Sequence, residues 1–137
     1  MADPIYRAPM RARDRDDVPA GAGAEHGLRE GLVGLSSARR VERFAELPEG
    51  TFVWTRDTEG LFHLGRISGP YREDDSAAAR AVGIHHVRPA TWLDRPFGEP
   101  DVPPGVAATF ARGGRNFQRT HDAAAERRTA ELWERYG

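Results

Sequence analysis

Two neighbouring runs in the middle of the chain have the pattern of strands: residues 51–56 are rich in β-branched and aromatic side chains, and residues 61–68 alternate roughly between apolar and polar positions. The turn-forming residues 57–60 separate them. This arrangement predicts a β-hairpin. A Gly-Pro pair at 69–70 ends its second strand.

Two other segments predict further strands. The first is residues 84–93, where Pro89 favours an edge position, a bulge or a bend because proline has no N–H to donate to a strand ladder. The second is residues 115–120, which predict the last strand of the chain. Residues 31–35 form a further short apolar element.

Helical spacing appears between and after these runs. Val41, Phe44 and Leu47 recur at helical intervals, and Ser37 precedes them at a capping position. Ser76 is placed to cap a further helical turn.

Residues 106–110 predict a short helix and residues 123–136 a longer one, with Leu132, Trp133 and Tyr136 as its docking face. The strands do not alternate with helices long enough for a parallel α/β sheet. The pattern therefore favours an α+β fold: a small, partly open β-barrel with short flanking helices and a C-terminal helix.

The length of 137 residues suits one domain. Residues 1–24 mix alternating charges with a Pro-Ala-Gly stretch and offer little to bury, so we expect a disordered N-terminal arm followed by a single domain over residues 25–137. The arm lacks the apolar centre of a secretory signal, and no apolar run approaches the roughly 20 residues that span a bilayer. These features predict a cytoplasmic protein.

Cysteine is absent, which excludes disulfides, thiol nucleophiles and cysteine-ligated metals. All 20 basic residues are arginine, and the net charge is −1. The chain is therefore not basic in bulk, and nucleic-acid binding would require a local arginine cluster and a pocket. Arginine suits that role because it makes planar, bidentate contacts to phosphates and bases.

The histidines do not form a recognisable metal or catalytic motif. They occupy positions 26, 63, 85, 86 and 121, without an HxxxH, HExxH or HxH spacing. The sequence also lacks a GxSxG elbow, a Walker loop and GxGxxG. We therefore expect no metal site, no cofactor and no enzymatic activity.

Aromatic residues on or beside the predicted strands are interleaved with arginines. The aromatic residues are Trp54, Phe62, Tyr71 and Trp92, and the arginines are Arg56, Arg66, Arg72 and Arg88. The rings either fill a barrel core or stack on bases. The amides of Asn116 and Gln118 either contact a base edge or form the polar face of an ordinary strand.

Three segments together resemble the EVE-like domains of the PUA-like superfamily. They are VWTRDTEGLFHLGRISGPY, HHVRPATWL and GGRNFQRT, and the similarity covers about residues 47–121. EVE-like domains are related to YTH domains and also occur as N-terminal modules of McrB- and Mrr-type restriction systems.

The resemblance implies a PUA-like β-barrel that binds DNA or RNA. It also implies that a modified base, such as a methylated one, is flipped into an aromatic pocket of the barrel. It implies a non-catalytic reader in restriction, defence or epigenetic recognition, working with a nuclease or another effector protein. Carried over by motif, the base pocket comprises Trp54, Tyr71, Trp92, Asn116 and Gln118, and the phosphate contacts comprise Arg56, Arg72, Arg88 and Arg115.

Two alternatives stay open at this point. One is a small-molecule- or protein-binding barrel that acts as a subunit of a complex. The other is a hydrolase- or deaminase-like enzyme, which would require His63, His86 or His121 to meet a carboxylate in one cleft.

Overall fold

A curled mixed sheet forms the body of the molecule. A computed structural model describes residues 3–12, 15–36, 38–114 and 116–137. In this part of the chain the strands are β1 (Ile5–Arg7), β2 (Leu32–Leu35), β3 (Phe52–Arg56), β4 (Phe62–Ile67), β5 (Arg72–Glu73), β6 (His86–Trp92) and β7 (Gln118–Arg119). The helices are α1 (Ala22–Glu30), α2 (Val41–Glu46), α3 (Ala77–Val82), α4 (Pro104–Ala111) and α5 (Ala123–Tyr136), and short 3-10 turns cover Ala38–Arg40 and Glu99–Asp101.

The strands lie in the order β2-β6-β4-β3-β1-β7, and β5 pairs with β6 beside this path. All neighbours are antiparallel except β1 and β3, which are parallel. With its flanking helices and the C-terminal α5, this is the α+β, partly open barrel that the sequence predicts.

The predicted hairpin is confirmed as β3 and β4, whose register pairs Phe52 with Arg66 and Arg56 with Phe62. The Asp57 carboxylate holds the turn by accepting the backbone N–H groups of Glu59 at 2.9 Å and Leu61 at 3.0 Å. An aspartate at this position favours a turn because its side chain replaces a backbone acceptor.

Pro89 lies inside β6, which is an inner strand rather than an edge strand. One side of β6 pairs with β2 from His86 to Pro89, and its other side pairs first with β5 at His86 and Val87 and then with β4 from Ala90 onward. Pro89 therefore stands where the partner on that side changes, so its missing N–H costs no ladder bond there.

Both faces of the sheet are buried. Val53 of β3 packs into one core cluster with Phe44 of α2, whereas Phe52 and Trp54 pack into a second cluster with Leu132 of α5. Successive side chains of a strand point to opposite faces, so β3 contributes to both cores. A strand covered on both faces leaves no ring free at the surface.

The predicted helices are present, and α3 and α5 begin at side-chain caps. The Ser76 hydroxyl accepts the N–H of Ala79 at 3.1 Å and begins α3, and Asp122 accepts the N–H of Ala125 at 2.9 Å and begins α5. The cap predicted at Ser37 lies outside the described residues. No helix in the described ranges is long and apolar enough to cross a bilayer.

The N-terminal segment differs from the expectation of a disordered arm over residues 1–24. Within its described residues, β1 pairs with both β3 and β7, and Ile5, Ala8 and Met10 are buried. The local composition is polar, but the partner strand β3 lies some 45 residues further along the chain and supplies the apolar surface. Tertiary pairing thus overrides a local pattern that favours disorder.

The burial of Ile5 predicts that truncating it destabilises the whole domain. Ile5 is fully buried, so Ile5→Ala should lower the free energy of unfolding by about 2–5 kcal/mol. Urea unfolding measures this, with the exposed Asp3→Ala as the matched control. Equal stability of Ile5→Ala and the wild type would show that the segment is a loose arm after all.

Candidate functional site

Three aromatic rings from distant segments meet at one end of the sheet. The ring of Tyr6 on β1 stacks on Phe117, with centroids 5.1 Å apart and planes 13° apart. Phe44 of α2 meets Phe117 edge-on at 5.1 Å. Phe44 and Phe117 are buried and Tyr6 is half-buried, so the group forms the floor of a surface cleft.

This aromatic cleft has a volume of about 330 Å³. Its lining consists of the three rings and five polar or basic side chains: Tyr6, Phe44, Phe117, Arg40, Arg43, Gln118, Arg119 and His121. The volume lies at the low end of the usual range for small-ligand pockets, about 300–1,000 Å³. An apolar floor with a few polar groups at the rim is typical of a binding site.

The rim is electropositive. Arg40 and Arg43 have no hydrogen-bond or ion-pair partner among the described residues, and none of the described lining residues is acidic. Arg119 is partly neutralised, since its guanidinium lies 3.3 Å from the Glu126 carboxylate. A second, more open depression continues the cleft outward over Arg39, Arg40 and Arg43, with one acidic residue, Glu42, in its lining.

Arg88 fixes α2 against the sheet. Its guanidinium is buried and donates to the carbonyls of Gly69, Phe44 and Leu47, so it holds the C-terminal end of α2 in place. Burial lowers the pKa of Arg88, and nearby Glu49 opposes that effect. The prediction of Arg88 as a phosphate contact is corrected, because all of these donors face the protein interior.

Trp54 and Trp92 belong to the core and not to a pocket. Trp54 is 1% exposed, and its Nε1 donates to the Thr129 hydroxyl at 3.1 Å. Trp92 packs against the other cluster and donates to the Leu32 carbonyl at 3.1 Å. Both predictions of pocket walls are corrected, since these rings already fill the two faces of the sheet.

Tyr71 lies next to the aromatic cleft without lining it. Its ring meets Phe44 edge-on at 6.4 Å and stacks on His86, and its hydroxyl lies 2.9 Å from His86 Nδ1. Burial, and then the charge of Glu73, raise the pKa of Tyr71. Tyr71 therefore supports the floor residue Phe44 from behind.

The other predicted site residues are dispersed. Gln118 is exposed on β7 and lines the cleft, whereas the backbone carbonyl of half-buried Asn116 accepts a hydrogen bond from Arg7. Arg56 bonds to the Gly60 carbonyl within the hairpin, and Arg72 faces Asp74 at 3.8 Å. Arg115 lies outside the described residues. Of the nine predicted positions, the structure brings Gln118 to the cleft and Tyr71 beside it.

The histidines named for the enzymatic alternative lie in three separate places. His63 contacts Asp57 at 2.8 Å, His86 bonds to Tyr71, and His121 lines the aromatic cleft. They therefore do not converge on one carboxylate, as that alternative requires. Among the described residues, no group of three His, Asp or Glu side chains is arranged to hold a metal ion.

Sequence reasoning missed most of the cleft because its residues are distant along the chain. The floor combines positions 6, 44 and 117, and no local pattern links them. One signal was available for the rim: Arg40 and Arg43 lie three positions apart, and residues at that spacing share one side of a helical segment.

A solved structure similar to this chain is the YTH domain of the Zygosaccharomyces rouxii MRB1 protein in complex with N6-methyladenosine RNA. The TM-score is 0.55 at 14% sequence identity, and the match covers 96% of this chain and 86% of the other. No family model and no curated protein sequence matches the chain.

The fold is similar to that of a YTH domain. At this identity the similarity concerns the fold alone. It agrees with the predicted PUA-like architecture, to which YTH domains are related, and the finer assignment to EVE-like domains stays a prediction.

The Asp57–His63 pair predicts a specific loss of stability in acid. Burial alone would raise the pKa of Asp57, but hydrogen bonds from His63 and from the Leu61 and Glu59 N–H groups more than offset it, and the pKa lies below the usual 3.8. A lowered folded-state pKa adds stability that is complete above the unfolded-state value and is lost as pH falls through the folded-state value.

The free energy of unfolding of wild type should therefore exceed that of Asp57→Asn at neutral pH, and this difference should shrink below about pH 3.8. Urea titrations across that range measure the difference, and the exposed Asp75→Asn is the control. A difference that does not change with pH would mean that the Asp57 charge does not stabilise the turn.

Proposed function

We propose that this chain is a non-catalytic nucleic-acid-binding module that recognises a modified base in the aromatic cleft. The observation that carries the proposal is the floor of Tyr6, Phe44 and Phe117 beneath Arg40 and Arg43, which have no side-chain partner among the described residues. The YTH-like fold supports it, since the similar structure is described as a complex with N6-methyladenosine RNA.

The floor suits a flat, extruded base. Of the three floor rings, Tyr6 is the half-exposed one, and its ring already lies nearly parallel to that of Phe117. A base that stacks on such a ring gains about 1–3 kcal/mol, which offsets the few kcal/mol of unstacking. Prior stacking on Phe117 reduces the entropy that Tyr6 loses when a base binds.

The rim suits the flanking phosphates. Arg40 and Arg43 lie at the mouth, and their donors have no partner in the part of the chain that the structure describes. The depression beyond them, lined by three arginines and Glu42, gives a sugar–phosphate chain a path across the outer side of α2. Guanidinium–phosphate hydrogen bonds are charge-assisted and often bidentate. Arg119 contributes less because Glu126 already faces it.

The amide of Gln118 is placed to contact the edge of the base. It lines the cleft between the aromatic floor and Arg119, and an amide offers both a donor and an acceptor. A methyl group buried against the rings would add about 0.8 kcal/mol, or about fourfold in affinity. Preference for a modified base then requires the amide and the rings together.

The biological setting is also part of this proposal. The EVE-like resemblance favours a cytoplasmic reader that delivers a nuclease or another effector to modified DNA or RNA. The choice between DNA and RNA, and the modification itself, follow from which oligonucleotide binds most tightly in the experiment below.

Removing the rim charges should weaken binding without unfolding the protein. We expect Arg40→Gln and Arg43→Gln together to reduce oligonucleotide affinity about tenfold or more, because two charge-assisted phosphate contacts are lost. Fluorescence anisotropy with labelled oligonucleotides, plain and methylated, DNA and RNA, measures it. Arg128→Gln on the exposed side of α5 is the matched control.

Binding that uses the two phosphate contacts of Arg40 and Arg43 should also weaken with salt, at a log–log slope of about 1.4 for a single strand. No binding of any oligonucleotide, or equal loss in the Arg128→Gln control, would contradict the proposal. The first outcome would favour the small-molecule- or protein-binding alternative for the same cleft.

A further inference from the structure

A second cleft lies beside β1. It has a volume of about 280 Å³ and is bordered by the segment after β1, the β3–β4 turn and the segment after α4. Its basic lining residues are Arg7, Arg11 and Arg56. Arg7 follows Tyr6 on β1, and since adjacent strand residues point to opposite faces, this cleft is separate from the aromatic cleft.

Arg7 is a buried cation without an acidic partner. Its side chain belongs to a residue only 6% exposed, and it donates to the carbonyls of Thr109, Gly113 and Asn116. Among the described residues no carboxylate contacts it, and its Nη2 makes no hydrogen bond. Burial, and then the like charge of Arg112, lower its pKa.

Burying a guanidinium charge costs free energy of folding unless a counter-charge lies beside it. The carboxylates at the cleft are already in use. Asp57 bonds to His63 with one oxygen and to the turn N–H groups with the other, and Glu25 is bonded to Thr58. Arg11 has no side-chain partner among the described residues, so it adds a further unbalanced charge.

Two glycines keep the way to Arg7 open. A Cβ on Gly114 would lie 2.7 Å from Arg7 Nη2, and a Cβ on Gly113 would meet nothing within 4 Å. Both residues have positive φ, at 96° and 77°, which favours glycine. Gly114 therefore lies directly against the Nη2 donor, and both glycines line the cleft together with Arg7.

We propose that this second cleft is a phosphate-binding site in which Arg7, Arg11 and Arg56 supply the donors and the bound anion supplies the missing counter-charge. The ligand chemistry is a phosphate group, carried either by a nucleic-acid strand or by a free phosphate compound. The site does not depend on the function proposed for the aromatic cleft.

The test uses inorganic phosphate as the probe and isothermal titration calorimetry of the full chain at low salt. Wild type should bind phosphate, and Arg11→Gln and Arg56→Gln should each weaken the affinity about fivefold. Both side chains are at least partly exposed, so these variants should fold. Arg128→Gln on α5 is the matched control and should not change the affinity, whereas Arg43→Gln reports separately on phosphate held in the aromatic cleft.

Absence of phosphate binding at millimolar concentrations would overturn this site. The proposal would also be overturned if Arg43→Gln weakened phosphate binding while Arg11→Gln and Arg56→Gln did not. That result would assign the anion to the aromatic cleft. Anisotropy with the labelled oligonucleotides then identifies the source of the phosphate. Weaker oligonucleotide binding by Arg11→Gln indicates a strand phosphate, and unchanged oligonucleotide binding with weaker phosphate binding indicates a free phosphate compound.

Discussion

The insertion of β1 between β3 and β7 is the constraint on which both clefts depend. Because strand residues alternate, Tyr6 points to one face of the sheet and lines the aromatic cleft, whereas Ile5 and Arg7 point to the other face, where Ile5 fills a core cluster and Arg7 borders the second cleft. A slip of one residue would exchange these roles and bury a charge in an apolar core. The parallel register with β3, which pairs Ile5 with Phe52, is therefore as important to the proposed function as any residue in the clefts.

Burial on both faces of the sheet explains which predictions from sequence succeeded. The β3–β4 hairpin, the Ser76 cap and α5 follow from local patterns, because turn chemistry, capping and amphipathic spacing act over a few residues. Whether a strand aromatic is exposed depends on what covers it. Helix α5 covers Trp54, so a ring that resembles a pocket wall by motif is a core residue. Trp92 is likewise a packing residue, on the other face of the sheet.

The site was largely unpredictable because its floor is assembled by tertiary contacts. Tyr6 lies in a segment whose charges suggest disorder, Phe44 serves as a helix-packing residue by its spacing, and Phe117 precedes a strand of only two residues. Gln118 was identifiable through its motif, since that motif also contains Phe117. What the motif does not contain is the α2 segment, whose placement depends on Arg88 bonding across more than 40 residues to the helix carbonyls.

Arginine performs two different tasks in this lysine-free chain. Arg7 and Arg88 are internal connectors that donate to carbonyls, a role suited to a planar group with five N–H donors. Arg40 and Arg43 lie at a cleft rim, where no residue that the structure describes accepts from their guanidinium groups. The charge that attracts a polyanion is thus much smaller than the arginine content suggests, and the net charge is −1. Electrostatic attraction alone is then too weak to retain a strand, and affinity has to come from stacking in the aromatic cleft. When stacking contributes most of the affinity and phosphate contacts contribute little, binding becomes selective for the base. Stacking and edge contacts depend on the identity of the base, whereas phosphate contacts do not.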